Sequence, residues 1–253
     1  MGNVSLGIAA AIGPDIAAAL APRLEQAGFR ALWVNDTPGA DALEVAAAAA
    51  RETETLRVAT GVIPLDRRPA ASILDDIARL EIPADRLTIG VGSGQTRAGG
   101  LDLVRSSLHD LRAGTDAELA VGALGPKMRT LAGTHSDAVV LSWLTPEAAA
   151  EQARELHDLA PKGRAVLYAR ANAHPDARER LEKEADQYAG YPAYAGHFAR
   201  LGFGARDTVL PAEGGDIASG IADYTAAVDE LVLRAITPND ALDEYLEFLP
   251  LAK

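Results

Sequence analysis

The sequence predicts a (β/α)8 barrel of the TIM type, an α/β fold in which eight parallel strands alternate with helices. Short apolar runs alternate with amphipathic runs along the chain, and eight of the apolar runs have the length of strands. The 253 residues suit one such barrel. A doubly wound open sheet is the alternative, but it usually has fewer strands for this length. We expect a single domain over residues 1–253.

The predicted strands are mostly apolar runs of four to eight residues. They are Val4–Ala9, Ala31–Val34, Arg57–Ile63, Leu87–Val91, Glu118–Gly122, Ala138–Ser142, Arg164–Arg170 and Val228–Ala235.

Helical spacing of apolar residues predicts a helix after most of these strands. For two of the predicted helices the sequence indicates both bounds: Asp41–Glu52 and a closing helix over Pro238–Leu249. Two others are defined by their ends, at Gly28 and at Gly114. The remaining three are defined by their starts, at Pro69, Pro126 and Thr145. Thr145 has the hydroxyl of an N-cap residue, and Pro146 and Glu147 follow it as first-turn residues.

A long segment separates the seventh and eighth predicted strands. It includes Pro175–Ala189 and the aromatic-rich run Tyr188–Gly204. Connections of this length are usually functional or contribute to a dimer, so we expect a long helical insertion here.

Composition excludes several classes of function. The net charge of −12 argues against nucleic acid and anionic membrane surfaces as partners, because both require a basic face. The absence of cysteine excludes disulfides, thiolate nucleophiles and zinc–sulfur sites. The five histidines lack metal-ligand spacing, so no metal site is predicted. Met1–Ala11 lacks the features of a secretory signal and no run reaches membrane-spanning length, so we expect a cytoplasmic protein.

Candidate site residues follow the predicted strands, because the active face of such a barrel lies at the carboxyl ends of its strands. They are Asp36 after strand two, Thr60, Gly61 and Val62 after strand three, Gly92 and Ser93 after strand four, and Ala123, Leu124, Gly125, Pro126 and Lys127 after strand five.

Each candidate also has a structural interpretation. The GVGSG run, Gly90–Gly94, allows close approach of either a flat ligand or a neighbouring loop. Gly125 and Pro126 at a helix start either present free amides to a phosphate or simply connect a strand to a helix. Asp36 either takes part in acid–base chemistry or caps the turn before the next helix.

Four ordered segments together resemble the luciferase-like monooxygenase superfamily. They are Leu24–Asp36 (LEQAGFRALWVND), Leu56–Leu80, Asp85–Gly94 (DRLTIGVGSG) and Val121–Glu147. The segment Tyr191–Gly204 is similar to an actinobacterial branch described as coenzyme F420-dependent oxidoreductases.

The resemblance implies a barrel that binds coenzyme F420 or FMN and transfers hydride to or from a small organic substrate. The cofactor ring would lie near Thr60–Ile63 and the GVGSG run, with a non-proline cis peptide near Gly61–Val62–Ile63. The cofactor phosphate would bind the amides of Leu124–Lys127, and Arg67, Arg68 and Arg97 are candidates for a basic rim. Asp36 would be a polar contact near the ring, and a homodimer is implied.

The sequence departs from the family pattern at two places. Thr37 stands where the family has a histidine that often contributes to catalysis, and Gln95–Ala117 between strands four and five lacks the family's long insertion. A non-catalytic flavin-binding barrel and an FMN-dependent monooxygenase using molecular oxygen are therefore alternatives. A lyase or aldolase acting on a phosphorylated substrate is a weaker alternative. It needs a catalytic lysine at a strand end, and Lys127, the only lysine there, lies in a predicted helix start.

Overall fold

Eight parallel strand positions close into a barrel in the computed structural model, which describes residues 3–96, 98–211 and 215–252. The strands are β1 (Val4–Ala9), β2 (Ala31–Asn35), β3 (Arg57–Thr60), β4 (Ile63–Pro64), β5 (Leu87–Gly92), β6 (Glu118–Gly122), β7 (Ala138–Ser142), β8 (Arg164–Asn172) and β9 (Glu230–Ile236). β1 pairs with β9 and β3 pairs with β5, so the barrel has no free edge. The predicted (β/α)8 fold is confirmed.

The third predicted strand is divided in the structure. β3 ends at Thr60, and β4 continues along β5 after Gly61 and Val62. The Gly61–Val62 peptide bond is cis, where the resemblance placed it. The other strands lie within two residues of their predicted bounds.

Ten α-helices surround the described barrel. They are α1 (Pro14–Ala27), α2 (Ala42–Arg51), α3 (Ala70–Leu80), α4 (Gly100–Gly114), α5 (Pro126–His135), α6 (Pro146–Leu159), α7 (Arg178–Ala189), α8 (Pro192–Leu201), α9 (Ile217–Ala227) and α10 (Leu242–Phe248). Gly28 ends α1 with a φ of 78°, a conformation that favours glycine. Thr145 caps α6 by accepting a hydrogen bond from the amide of Ala148, as predicted. The closing helix begins at Leu242 rather than Pro238.

Alternation along the strands divides the side chains between two environments. Outward-facing residues such as Leu6, Leu32 and Val58 pack beneath the helices and form the main core. Inward-facing residues such as Trp33, Val140 and Tyr168 form a second cluster inside the barrel. The inward positions therefore decide the shape of the barrel mouth.

Ion pairs fill the barrel at the amino ends of its strands. Glu230 is buried and lies 2.9 Å from Arg164 and 3.2 Å from Arg30. Glu118 lies 2.8 Å from Arg164 and 3.1 Å from Arg57. We call these five residues the base network. It plugs one end of the barrel with charged side chains.

The long link between β8 and β9 is a helical insertion, as predicted. Its helices are α7, α8 and α9. Residues of α7 and α8, including Leu181 and Phe198, pack with Trp143 and Ile236 beyond the carboxyl ends of the strands. The insertion thus covers part of the barrel mouth. Within the described residues, no helix has the length and apolar character needed to cross a membrane.

Candidate functional site

A cavity of about 420 Å³ opens at the carboxyl ends of the strands. Residues of β2 and of β4 through β8, of the loops that follow β2, β3, β5 and β6, and of α5, α7 and α8 line it. A larger hollow of about 650 Å³ lies near the amino end of β1, but the described residues that line it, such as Val4, Phe29 and Ile221, include no titratable group. Chemistry in this fold takes place at the carboxyl ends, so we place the site in the first cavity.

Glycines form one wall of the cavity. Gly61, Gly92 and Gly122 stand at successive strand ends, where larger side chains would fill the barrel mouth. A Cβ atom at Gly92 would lie 2.9 Å from Cγ2 of Val62, and one at Gly122 would lie 3.2 Å from the same atom. The glycines therefore make room for Val62, and the resulting wall is largely backbone.

The start of α5 borders the glycine wall. Gly125 is its N-cap residue and makes no side-chain cap, whereas Asp41 caps α2 and Thr145 caps α6. Pro126 has no amide proton, so the amides of Lys127 and Met128 are the ones that can donate hydrogen bonds to an anion. A Cβ atom at Gly125 would meet nothing within 4 Å. The helix start is open on the side where a phosphate would approach.

Helix α8 holds the loop that precedes α5. Arg200 donates a hydrogen bond of 2.8 Å to the carbonyl of Leu124. His197 lies 3.0 Å through Nε2 from the carbonyl of Trp143, and Arg200 approaches its Nδ1 at 3.1 Å. The neutral tautomer with hydrogen on Nε2 satisfies both contacts. Burial lowers the pKa of His197, which favours this neutral form.

An arginine and aromatic rings form the wall opposite the glycines. The guanidinium of Arg170 lies 4.0 Å from the ring centre of Trp143 and 4.8 Å from that of Tyr188. It also donates to Ser142 at 2.7 Å and to Glu184 at 3.2 Å. Tyr194 packs edge-on against Tyr188, and burial raises the pKa of Tyr194 to about 12. This wall combines a buried cation with aromatic rings, and the raised pKa keeps Tyr194 protonated near neutral pH.

Asp36 lines the cavity with both carboxylate oxygens engaged. Oδ2 lies 3.0 Å from Arg67, and Oδ1 accepts a bond of 3.4 Å from the amide of Ala42 at the start of α2. Burial raises its pKa, and these two partners act in the opposite direction. Asp36 therefore lies in the cavity, where the sequence predicted it, and it also bonds the first turn of α2, as the alternative interpretation of a capping residue expected.

Two residues that line the cavity carry buried polar atoms without partners. The Tyr168 hydroxyl is buried, and so is Oδ1 of Asn35; neither has a hydrogen-bond partner among the described residues. Both lie beside Gly61. Nδ2 of Asn35 donates to the carbonyl of Gly61, and a Cβ atom at Gly61 would lie 2.2 Å from the Tyr168 hydroxyl. We call Tyr168 and Asn35 the floor pair.

Most of the predicted cofactor-binding residues line this one cavity: Gly61, Val62, Gly92, Ser93, Ala123, Leu124 and Gly125. Thr60, Pro126 and Lys127 are not among the residues that line it. The side chain of Thr60 is buried and bonds the backbone of Gly90 instead.

The arginines predicted to form a basic rim are partly neutralised by aspartates in the structure. Arg67 pairs with Asp36, and Arg68 is largely buried and makes two bonds to Asp41. Arg97 lies outside the described residues.

Several lining residues were not predicted from the sequence. They include Met128, Ser142, Tyr168, Arg170, Tyr188 and Tyr194. Tyr168 and Arg170 are two positions apart in a strand that was predicted, so they lie on the same face of it. A search of inward-facing strand positions would have found them. Among the described residues, no group of three or more acidic or histidine side chains is arranged to hold a metal ion.

Comparisons with known proteins agree with this architecture. The family model described as luciferase-like monooxygenase matches residues 4–99, which confirms the resemblance over that part of the chain. The closer likeness to an actinobacterial branch stays a prediction. No curated protein sequence matches the chain.

Solved structures similar to this one include enzymes that use two different cofactors. An F420-dependent secondary alcohol dehydrogenase bound to an F420–acetone adduct is 17% identical, with a TM-score of 0.71 and complete coverage of both chains. Coenzyme F420-dependent tetrahydromethanopterin reductase from Methanopyrus kandleri is 17% identical, with a TM-score of 0.63 over 99% of this chain and 90% of that chain.

The oxygenating constituent of 3,6-diketocamphane monooxygenase from Pseudomonas putida, in complex with FMN, is 15% identical. Its TM-score is 0.71, with 98% of this chain and 96% of that chain covered. At these identities the similarity shows the barrel fold.

Proposed function

From the match of residues 4–99 to the luciferase-like monooxygenase family, we propose that this protein is a cofactor-dependent oxidoreductase. It binds coenzyme F420, or alternatively FMN, and transfers hydride between that cofactor and a small organic substrate. Two of the similar structures are F420-dependent enzymes, which favours the deazaflavin as the first cofactor to test.

The observation that carries the proposal is the unequal construction of the two cavity walls. A flat ring fits against the glycine wall, where Gly92 and Gly122 leave only backbone and Val62. The phosphate on the cofactor's ribityl side chain would accept hydrogen bonds from the amides of Lys127 and Met128 at the uncapped start of α5. The unpartnered polar atoms of the floor pair add hydrogen-bonding capacity that the protein itself leaves unused.

The residues of the chain orient the reactants and exclude water, while a bound flavin or deazaflavin supplies the two-electron hydride chemistry. The wall formed by Arg170, Tyr188 and Tyr194 faces the glycine wall, so the substrate would bind between that wall and the ring. Asp36 contributes a polar contact at the edge of the cavity.

A non-catalytic flavin-binding protein is the second candidate. The carboxylate of Asp36 already has two partners, and Thr37 replaces the histidine of the family pattern. These features leave the catalytic acid unassigned, while cofactor binding does not depend on it.

Spectroscopic titration of the purified protein with F420 and with FMN tests the proposal. We expect saturable binding of at least one cofactor, followed by hydride exchange with members of a carbonyl and enone panel. Binding without exchange on any substrate would support the second candidate. If neither cofactor binds, both candidates are wrong.

A further inference from the structure

The floor pair presents one donor and one acceptor that lack partners among the described residues. Tyr168 lines the cavity and is 3% exposed, and its buried hydroxyl has no hydrogen bond. A buried hydroxyl without a partner is unfavourable in the folded protein. Such groups often mark a place where a ligand completes the hydrogen bonding.

Packing holds the Tyr168 ring in place. Trp33 contacts it edge-on, with ring centres 5.9 Å apart. Gly7 leaves space for the ring, since a Cβ atom there would lie 3.0 Å from it. The hydroxyl therefore has little freedom to find another partner. Burial also raises the pKa of Tyr168 well above its usual value, so the group remains a donor at neutral pH.

Asn35 supplies the matching acceptor. Its Nδ2 donates to the carbonyl of Gly61, which orients the amide and directs Oδ1 away from that carbonyl. Oδ1 itself is buried and has no partner in the part of the chain that the structure describes. The two unpartnered atoms thus flank the same glycine at the inner end of the glycine wall.

We propose that the floor pair binds the imide edge of a flat heterocycle, with Tyr168 donating to a ring carbonyl and Oδ1 of Asn35 accepting from the adjacent ring N–H. Flavins and 5-deazaflavins carry this edge on their pyrimidinedione ring. The inference rests on the proposed function and adds to it the direction of the ring, which enters the barrel with its pyrimidinedione edge first.

The test replaces one tyrosine hydroxyl at a time. Tyr168→Phe removes only the unpartnered hydroxyl. Tyr224→Phe is the matched control, since that buried hydroxyl donates to the carbonyl of Leu144 at 2.8 Å and also lies 3.2 Å from the carbonyl of Thr208. Thermal melting is measured without ligand, and dissociation constants are measured for F420, FMN and lumiflavin, which has the ring but no phosphate.

The two variants should respond in opposite ways. Tyr168→Phe should melt at or above the temperature of the parent and bind the ring-containing ligands about tenfold more weakly, because one hydrogen bond to the ligand is lost. Tyr224→Phe should melt about 2–4 °C lower and bind them with parental affinity. Equal affinities in Tyr168→Phe and the parent, or a melting loss in Tyr168→Phe that matches the control, would overturn the inference.

The acceptor is tested from the ligand side. Methylation of the imide nitrogen of lumiflavin should weaken binding to the parent, because Oδ1 of Asn35 then loses its donor. Equal binding of the methylated and unmethylated rings would remove Asn35 from the inference. A parent that binds F420 or FMN but shows no effect of Tyr168→Phe would overturn this inference alone. A parent that binds none of the ligands would overturn it together with the proposed function.

Discussion

Gly125 occupies a position where backbone rather than side chain is exposed to the cavity. Its φ of −99° is available to any residue, and a Cβ atom there would point into open space. Gly125→Val should therefore fold with little loss of stability, about 1 kcal/mol at an N-cap position. It should abolish binding of F420 or FMN, because the side chain would occupy the space in front of the α5 amides. Isothermal titration gives the affinity, and urea denaturation gives the stability.

Lys127→Ala is the companion of that variant. The Lys127 side chain is not among those that line the cavity, and Lys127→Ala keeps the backbone amide that would bind the phosphate, so binding should not be abolished. Loss of the positive charge beside that amide should weaken binding of the phosphate. If Gly125→Val binds as tightly as the parent, the start of α5 is only a connection between β6 and the helix.

Some residues of the site could be predicted from the sequence and others could not. Gly92 and Gly125 follow predicted strand ends, where the fold class alone places them near the cavity. Tyr168 and Arg170 lie inside β8, and only the register of the closed barrel turns them inward. Their placement in the cavity involves residues from other segments, such as Gly61 and Glu184, and no local pattern carries that information.

Helix α8 connects the insertion to the loop before α5, and we expect His197 to make the stability of the fold depend on pH. Its pKa is lowered in the folded protein, so the neutral form stabilises the fold at and above about pH 6.5, the ordinary value for histidine. Below that pH the unfolded chain takes up a proton that the folded protein does not. Stability is therefore lost as the pH falls from 6.5 toward the folded pKa.

We expect His197→Gln to show a shallower loss of stability below pH 6.5, by up to about 1.4 kcal/mol per pH unit. Urea denaturation at pH 7.5, 6.5 and 5.5 measures the difference. His109→Gln is the control, because His109 is an exposed residue of α4, and this variant should follow the parent. Parallel profiles for His197→Gln and the parent would contradict the assignment.

Helices and strands could be predicted from the sequence where the local pattern of apolar residues determines their bounds. Apolar runs defined the strands, and Thr145 and Gly28 marked helix ends that the structure confirms. The break at Gly61 and Val62 was missed as a strand boundary, because Val58, Val62 and Ile63 continue the apolar run. Residues 228 and 229 were assigned to the last strand for the same reason.

Glu230 links four strands of the barrel through its side chain and backbone. This side chain of β9 accepts hydrogen bonds from Ser5 of β1 at 2.6 Å and Trp33 of β2 at 2.7 Å, and it pairs with Arg164 of β8. Glu230→Leu should lower the free energy of unfolding by about 3–5 kcal/mol, because Arg30 loses its partner, Arg164 keeps only Glu118, and the buried donors of Ser5 and Trp33 lose their acceptor. Urea denaturation measures the change.

An exposed ion pair provides the comparison for that variant. Asp102 pairs with Arg105 on the surface of α4, where both side chains are largely exposed. Asp102→Ala should change stability by less than about 1 kcal/mol. Similar losses in the two variants would show that the base network contributes no more than a surface pair.

The assembly of the whole molecule stays a prediction. The aromatic-rich segment from Tyr191 begins α8, and Tyr191 is 43% exposed. Sedimentation equilibrium should give about twice the chain mass of 26.4 kDa. A mass equal to one chain would contradict the predicted homodimer.

The unequal cavity walls bear on how this protein could acquire new substrates. The glycine wall and the α5 amides consist of backbone, so few single substitutions can improve them and most would damage them. The facing wall draws Tyr188, Ala193 and Tyr194 from one stretch of the insertion. Mutations confined to that stretch could therefore alter substrate preference while the cofactor position is inherited unchanged. A library over residues 188–194 would vary that stretch and leave the glycine wall unchanged.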